Sequence, residues 1–323
     1  MKSNPVIIIS GPTATRKTHT AVQLALAFQK VMARKAEILN FDSLLFYNDL
    51  HIGTARPSMV EQGGIRHHLM GVVDLHEEFT AGRFVEMANP LIEKLLKEKI
   101  IPILVGGSGF YLRALIKGMY PATPVSPDIK KRVSDLYQAE GITPFIDLLK
   151  KEDPDSFHHL HGNDHYRIMR AVEHLWTEGQ PISQSRKRTE SEGPYDFLQN
   201  AHPEWNLLHL YLDIPKDEHN RIISERVEKM LASGLIEEVK HLLAAGYSGR
   251  EKGLQSIGYK EVLAYLRGEL GNVRQLSDLI ATNTRHLAKA QRTFFKKIND
   301  KIQYNPILEE EKLLLSAIRF VRE

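Results

Sequence analysis

No cysteine occurs among the 323 residues. Its absence excludes disulfides, thiolate metal sites and a cysteine nucleophile, and fits a reducing compartment. Long apolar runs are missing as well. Val6-Ile7-Ile8-Ile9 falls far short of the roughly 20 residues that a membrane-spanning helix needs, and is too short for the core of a secretory leader. There is no low-complexity tract and no internal repeat. Charge of one sign is not in great excess. With 43 Lys and Arg against 40 Asp and Glu, the net +3 says less than where the charges lie. We therefore expect a cytoplasmic protein without a membrane partner.

What is present reads as an ordinary globular chain, 42% hydrophobic and 26% charged, long enough for one to three domains. Val6–Ile9, between Pro5 and Gly11, predicts a strand buried on both faces, as in a parallel sheet. Ala21, Leu24, Ala25 and Phe28 recur at helical spacing after Thr18. Further strands are predicted at 37–41, 71–74, 100–105 and 207–214. Helices are predicted at 87–97 and 111–116. Strands alternating with helices imply a parallel α/β sheet. Prolines 121, 124 and 127 mark a change of character, after which 126–180 reads as helical and 183–192 as a loop. Everything after Asp217 reads as helix. The expected organisation is a P-loop-type core, residues 1–119 and 201–323, with a mainly helical insertion at 120–200 and C-terminal helices.

The strongest chemical signal is Gly11-Pro12-Thr13-Ala14-Thr15-Arg16-Lys17-Thr18, between a predicted strand and a helix. It fits the phosphate-cradling pattern G-x-x-x-x-G-K-[ST] except that Arg16 stands where the second glycine belongs. Backbone amides and a helix N-terminus would hold phosphate, Lys17 would neutralise it, and the Thr18 hydroxyl would hold Mg²⁺. Arg16 leaves three outcomes open: a shifted loop, weaker binding, or a compensating positive charge.

Two more turns fall at the expected ligand edge of the sheet. Asp42, in Asn40-Phe41-Asp42-Ser43, reads equally as a general base or metal-orienting group and as an ordinary capping aspartate. Gly106-Gly107-Ser108-Gly109 reads either as close backbone approach to a ligand or as a tight turn. Arg221 and Arg226, taken alone, read as surface residues. His67 and His68 point in different directions on regular structure, which argues against a metal pair. Arg285, Lys289, Arg292 and Lys296, with Lys297 beside them, form one helical stripe. It suits a phosphate backbone, or is a solvated face. Arg167, Arg170 and Arg186-Lys187-Arg188 add positive charge in the insertion.

These segments in their order resemble the tRNA dimethylallyltransferase family, the bacterial tRNA isopentenyltransferases. The resemblance runs on through Asp42-Ser43 with Tyr47, Ile52–Ser58, His67-His68-Leu69, Phe79-Thr80-Ala81, Ile103–Leu115, Asn163–Arg167 with Arg170-Ala171, Met230-Leu231 with Gly234-Leu235, Ser256–Glu261, and Thr284-Arg285 to Gln291-Arg292. It covers nearly the whole chain. It implies transfer of a dimethylallyl group from dimethylallyl diphosphate to N6 of adenosine 37 in tRNA, with release of pyrophosphate. It implies Asp42 as general base, and Lys17, Thr18 and Arg226 with Mg²⁺ at the departing pyrophosphate. Gly11 and the stretch Thr13, Ala14, Thr15, Arg16, Lys17, Thr18 would form the diphosphate site. Asp42, Ser43, Leu44, Leu45 and Ser108 would meet the target nucleotide. Tyr166, Arg167, Ile168, Met169 and Arg170 would meet the anticodon arm, with Arg285, Lys289 and Arg292 on the RNA backbone. A monomer is expected. Leu45 stands where the family usually has glutamine, and the lack of cysteine means no zinc finger like that of the eukaryotic relatives. Arg16 and Leu45 keep a weakened or inactive tRNA-binding paralogue open. A P-loop kinase would need ATP and a lid.

Overall fold

A computed structural model describes residues 4–119, 123–189 and 193–323, without the side chains of 186–189. The chain begins with β1 (Asn4–Ser10), α1 (Lys17–Met32), β2 (Ala36–Asn40), the two-residue β3 (His67–His68), α2 (Ala81–Lys97), β4 (Ile101–Gly106) and α3 (Gly109–Lys117). Five helices follow: α4 (Pro127–Glu140), α5 (Thr143–Glu152), α6 (Pro154–His159), α7 (His165–Glu178) and α8 (Ile182–Thr189). The remainder is β5 (Trp205–Leu212), α9 (Lys216–Ala232), α10 (Leu235–Ala244), α11 (Tyr259–Leu266), α12 (Val273–Lys296), β6 (Ile302–Tyr304) and α13 (Glu310–Arg322).

The strands form one sheet in the order β3-β2-β4-β1-β5-β6, every pair parallel. β1 is central, and alternate residues serve different layers. Val6 and Ile8 join a core built with α2, α3 and α9–α12, while Ile7 and Ile9 join a second core with α1 and α13. All four are fully buried, which is why the run is apolar without alternation. The crossovers bring the carboxyl ends of β1, β2, β4 and β5 to one edge of the sheet.

The chain divides into two compact units, Met1–Ile116 with Tyr195–Glu323, and Lys117–Pro194. The second holds α4–α8 and, among its described residues, no strand, around Val133, Phe145, Leu149, Ile168 and Val172. Its junctions fall a few residues before the expected 120 and 200.

Four expectations need correction. The strand expected at 71–74 is a single bridge, Tyr47 to Val73, because Gly71 turns to φ 60° and donates its amide to the Leu45 carbonyl; His67–His68 pairs with β2 instead. The loop expected at 183–192 is helical to Thr189. Ile182 is buried and the Ser183 amide donates to Asp153 Oδ2 at 3.2 Å, so tertiary anchoring overrides a polar sequence; 190–192 lie outside the described residues. α2 starts at Ala81, capped by Thr80, well before the expected Met87. The C-terminus is not all helix, since β6 extends the sheet beside β5. Of the proline cluster, Pro127 opens α4, and Tyr120 and Pro121 lie outside the described residues.

Candidate active site

The phosphate loop leaves the end of β1 and winds into α1. At Gly11 a Cβ would lie 2.3 Å from the Leu212 carbonyl, so the neighbouring strand demands glycine. Ala14 and Arg16 both adopt left-handed backbone, with φ of 62° and 58°. Arg16 is the N-cap of α1 and its side chain is exposed. Its position thus has the conformation that glycine adopts freely, at a cost of about 1–2 kcal/mol for a side-chain-bearing residue. It does not crowd the loop. The buried Pro12 carbonyl accepts from Thr15 Oγ1 at 2.8 Å and from Lys17 Nζ at 2.6 Å, drawing the loop around itself. Thr18 is half-buried in the first turn of α1, where the helix leaves amides without intrahelical partners.

Asp42 stands two residues beyond β2. The buried Asn40 side chain fixes it, accepting the Asp42 amide at 2.8 Å and donating to the Asp42 and Leu69 carbonyls at 3.1 and 3.0 Å. One Asp42 carboxylate oxygen accepts the Leu44 amide at 3.3 Å. Ser108 Oγ accepts the Ser43 amide at 3.0 Å and donates to Ser43 Oγ at 3.3 Å, joining the turns after β2 and β4. Leu44 and Leu45 are half-buried beside them, the Leu45 amide donating to the Asp42 carbonyl at 3.2 Å.

Arg226 reaches this place from α9, its Nη2 donating to the Thr54 carbonyl at 3.4 Å. Asp42, Lys17 and Arg226 lie within one another's electrostatic field. Burial pushes the Lys17 ammonium down to about 8; Asp42 opposes that shift and Arg226 adds to it. Burial also lowers the Arg226 guanidinium, again against Asp42. Two cations and one carboxylate thus share a desolvated recess beside the phosphate loop. Arg221, by contrast, is exposed and paired with Glu225 along its own helix.

The glycines after β4 serve protein packing. A Cβ at Gly106 would lie 2.5 Å from the Phe41 ring, at Gly107 2.4 Å from Gln291 Nε2, and at Gly109 2.2 Å from the Phe294 ring. Close approach is real here, but the approaching groups are side chains of this chain rather than a ligand. The histidines of β3 are held structurally: His68 Nε2 meets Glu37 Oε2 at 2.5 Å and His67 Nδ1 meets the Ile65 carbonyl at 2.9 Å.

The basic stripe on α12 splits in two. Lys289, Lys296 and Lys297 are exposed. Arg285 is half-buried and donates to Ser224 Oγ at 2.8 Å. Arg292 is bound to both Asp213 oxygens and donates to the Ile214 carbonyl and to His219 Nδ1. Helical spacing placed the arginines on an RNA-facing stripe; packing of α12 against α9 turns them inward. Within the second unit α7 divides likewise. Tyr166 is 64% exposed, and Arg167 and Arg170 are exposed and paired with Asp164 and Glu173. Ile168 is 3% exposed within that unit's core, so its side chain is withdrawn from an RNA-facing surface, while the half-buried Met169 packs against that core. The side chains of Arg186, Lys187 and Arg188 lie outside the described residues.

Sequence reasoning assigned no part in the site to three side chains that the structure ties to it. Gln291 Oε1 accepts the Thr13 amide at 2.8 Å and its Nε2 donates to the Gly107 carbonyl at 3.0 Å. The Thr13 amide, expected to face phosphate, is thereby occupied. His219, buried in the first turn of α9, meets the Thr13 carbonyl at 2.8 Å. Asp213, just past β5, anchors Arg292. Gln291 and Arg292 carried a signal, as the end of the motif series; His219 and Asp213 carried none.

Comparison with known proteins places this architecture. The family model for IPP transferase matches residues 45–298, beginning just downstream of Asp42. The tRNA dimethylallyltransferase 1 of Trichlorobacter lovleyi is 39% identical over 292 residues, which is 90% of this chain and 90% of that protein. The tRNA dimethylallyltransferase of Bdellovibrio bacteriovorus is 38% identical over 303 residues, covering 93% and 92%. Among solved structures, the full-length tRNA isopentenylpyrophosphate transferase of Bacillus halodurans superposes with a TM-score of 0.69 at 27% identity, over 99% of this chain and 97% of that one. A eukaryotic dimethylallyltransferase acting on tRNA gives 0.79 at 25% identity, over 98% and 78%. The agreement extends through both compact units, and the chain belongs to the IPP transferase family.

Proposed function

We propose that this protein is a tRNA dimethylallyltransferase, moving a dimethylallyl group from dimethylallyl diphosphate to N6 of adenosine 37 and releasing pyrophosphate. The observation that carries this reading is the meeting of Asp42, Lys17 and Arg226 beside a strand-loop-helix phosphate cradle, in a chain of this family. The bond to form joins N6 to the allylic carbon; the bond to break joins that carbon to the diphosphate oxygen. Negative charge concentrates on the departing diphosphate, where Lys17, Arg226 and the amides opening α1 stabilise it. Asp42 takes the proton that N6 loses. The Asn40 clamp holds the Asp42 backbone for that role.

The target base leaves its loop to reach this recess. Ser43, Leu44, Leu45 and Ser108 line its approach, and Tyr166, Arg167 and Arg170 of the second unit, with the exposed Lys289 of α12, contact the RNA. Thr18 supplies an oxygen donor of the kind a hard divalent ion takes, and among the described residues no group of three or more His, Asp or Glu gathers. Mg²⁺ held there would supply further charge neutralisation at the departing diphosphate. No helix among the described residues is long and apolar enough to cross a membrane. A monomer working in the cytoplasm suits a substrate of this size and location.

The test uses labelled dimethylallyl diphosphate, Mg²⁺ and unmodified tRNA with adenosine at position 37. Label is expected in the tRNA, with one pyrophosphate released per transfer. Consumption of ATP without label transfer, or tRNA binding without transfer, would remove the reading.

A further inference from the structure

Gln291 and Arg292 are consecutive on α12, and both lead to Thr13. The Thr13 amide donates to Gln291 Oε1 at 2.8 Å, and Gln291 Nε2 is tied to the Gly107 carbonyl at 3.0 Å. On the other side, the Thr13 carbonyl is 2.8 Å from His219 Nε2, and His219 Nδ1 is 2.7 Å from Arg292 Nη2. Guanidinium only donates, so Nδ1 accepts and Nε2 carries the proton given to Thr13; Arg292 thus sets the tautomer. Arg292 is itself fixed by Asp213, Nε to Oδ1 at 2.9 Å. Both backbone polar groups of one loop residue are therefore held by side chains 278 and 206 positions away.

The next turn of the loop shows what this hold is set against. Ala14 and Arg16 sit at φ 62° and 58°, in a region that L-residues enter at a cost. Backbone of this kind persists where its surroundings over-determine it. We propose that Gln291 and the Arg292–His219 pair are positioning residues that hold the phosphate loop in its diphosphate-receiving form from both sides of Thr13. This rests on reading the loop as the diphosphate site. Neither group meets the reacting atoms; each acts through the shape of the loop. The same helix presents Lys289 and Lys296 to solvent, so the loop is gripped by an element that also carries exposed positive charge.

The experiment titrates inorganic pyrophosphate into the full-length protein and its variants by calorimetry, and measures KM for dimethylallyl diphosphate and for tRNA separately. His219→Leu and Gln291→Leu are each expected to weaken pyrophosphate binding about three- to tenfold, the worth of one hydrogen bond. The donor KM rises in step and the tRNA KM stays put. His219→Gln, whose amide nitrogen can replace Nε2–H, recovers most of the loss. Unchanged pyrophosphate affinity in the Leu variants overturns the proposal, as does a His219→Gln protein as weak as His219→Leu, which reduces His219 to packing. If His219→Leu fails to fold, Gln291→Leu, at a half-buried site on another helix, decides alone. A wild-type protein that does not bind pyrophosphate overturns the diphosphate reading itself, a result distinct from variants that bind as wild type does.

Discussion

The ligand edge of the sheet and the surface of the second unit handle charge in opposite ways. At the ligand edge of the sheet, cations are half-buried and tied to partners remote in sequence: Arg226 to Thr54 across 172 positions, Arg292 to Asp213 across 79. In the second unit, cations are exposed and paired within a helical turn, Arg170 with Glu173 three residues later and Lys150 with Asp147 three residues earlier. Desolvated charges act strongly on a substrate and need tertiary structure to hold them. Solvated pairs contribute little to folding, about 0–1 kcal/mol, and exchange readily for RNA phosphates. The first arrangement suits chemistry and the second suits grip.

That contrast breaks first at Asp42. Asp42→Asn is expected to lower the single-turnover transfer rate by about 10²–10⁴ while tRNA affinity in a filter-binding assay stays within about twofold. Equal losses in both would make Asp42 a binding residue.

Within the second unit, neighbouring positions on α7 should behave oppositely. Ile168→Ala removes a buried side chain and is expected to destabilise by about 2–4 kcal/mol in urea unfolding. Arg170→Ala should change stability by less than about 1 kcal/mol, yet weaken tRNA binding and flatten its salt dependence. A stable Ile168→Ala protein with impaired tRNA binding would return Ile168 to the RNA surface.

Proton linkage tests the buried cations at the ligand edge directly. Lys17 titrates near 8 in the free protein because burial disfavours its cation. A bound diphosphate favours the cation and raises that value. Affinity for a non-transferable donor analogue should therefore be full below pH 8 and fall as pH rises through it, with net proton uptake on binding near pH 8.5. Calorimetry in buffers of different ionisation enthalpy reads the uptake directly, and Lys17→Met should abolish it.

The smallest effect is expected at Arg16. Arg16→Gly relieves left-handed strain but adds freedom to the unfolded chain, for a net stabilisation of about 0.5 kcal/mol. Since the side chain is exposed, transfer should change by no more than about threefold. A rate increase of a hundredfold would show that Arg16 damages the site.

Much of this was legible beforehand because it is local. An unbroken β-branched run marks a doubly covered strand, and a glycine-led loop marks the turn from that strand into a helix, wherever the rest of the chain goes. The order of motifs identified the family, and with it Asp42 and Arg226 as partners. Errors arose where meaning is not local. Gly106, Gly107 and Gly109 looked like room for a ligand, yet Phe41, Gln291 and Phe294 fill that space. Equal helical spacing could not tell Arg292, turned toward Asp213, from exposed Lys289. Ile168 lay inside a motif associated with RNA and belongs to the core.

The sequence by itself determined β1, β2, β4 and β5, the glycine-led loop after β1 and the carboxylate after β2, since each depends on backbone preferences over a few residues. Only the tertiary structure decided which arginines face solvent, that Arg16 occupies a glycine-like conformation, and that Thr13 is held from both sides. The physical reason is desolvation. Burial decides whether a charge is a contact, a strut or a catalyst, and burial is set by elements that meet only when the sheet closes.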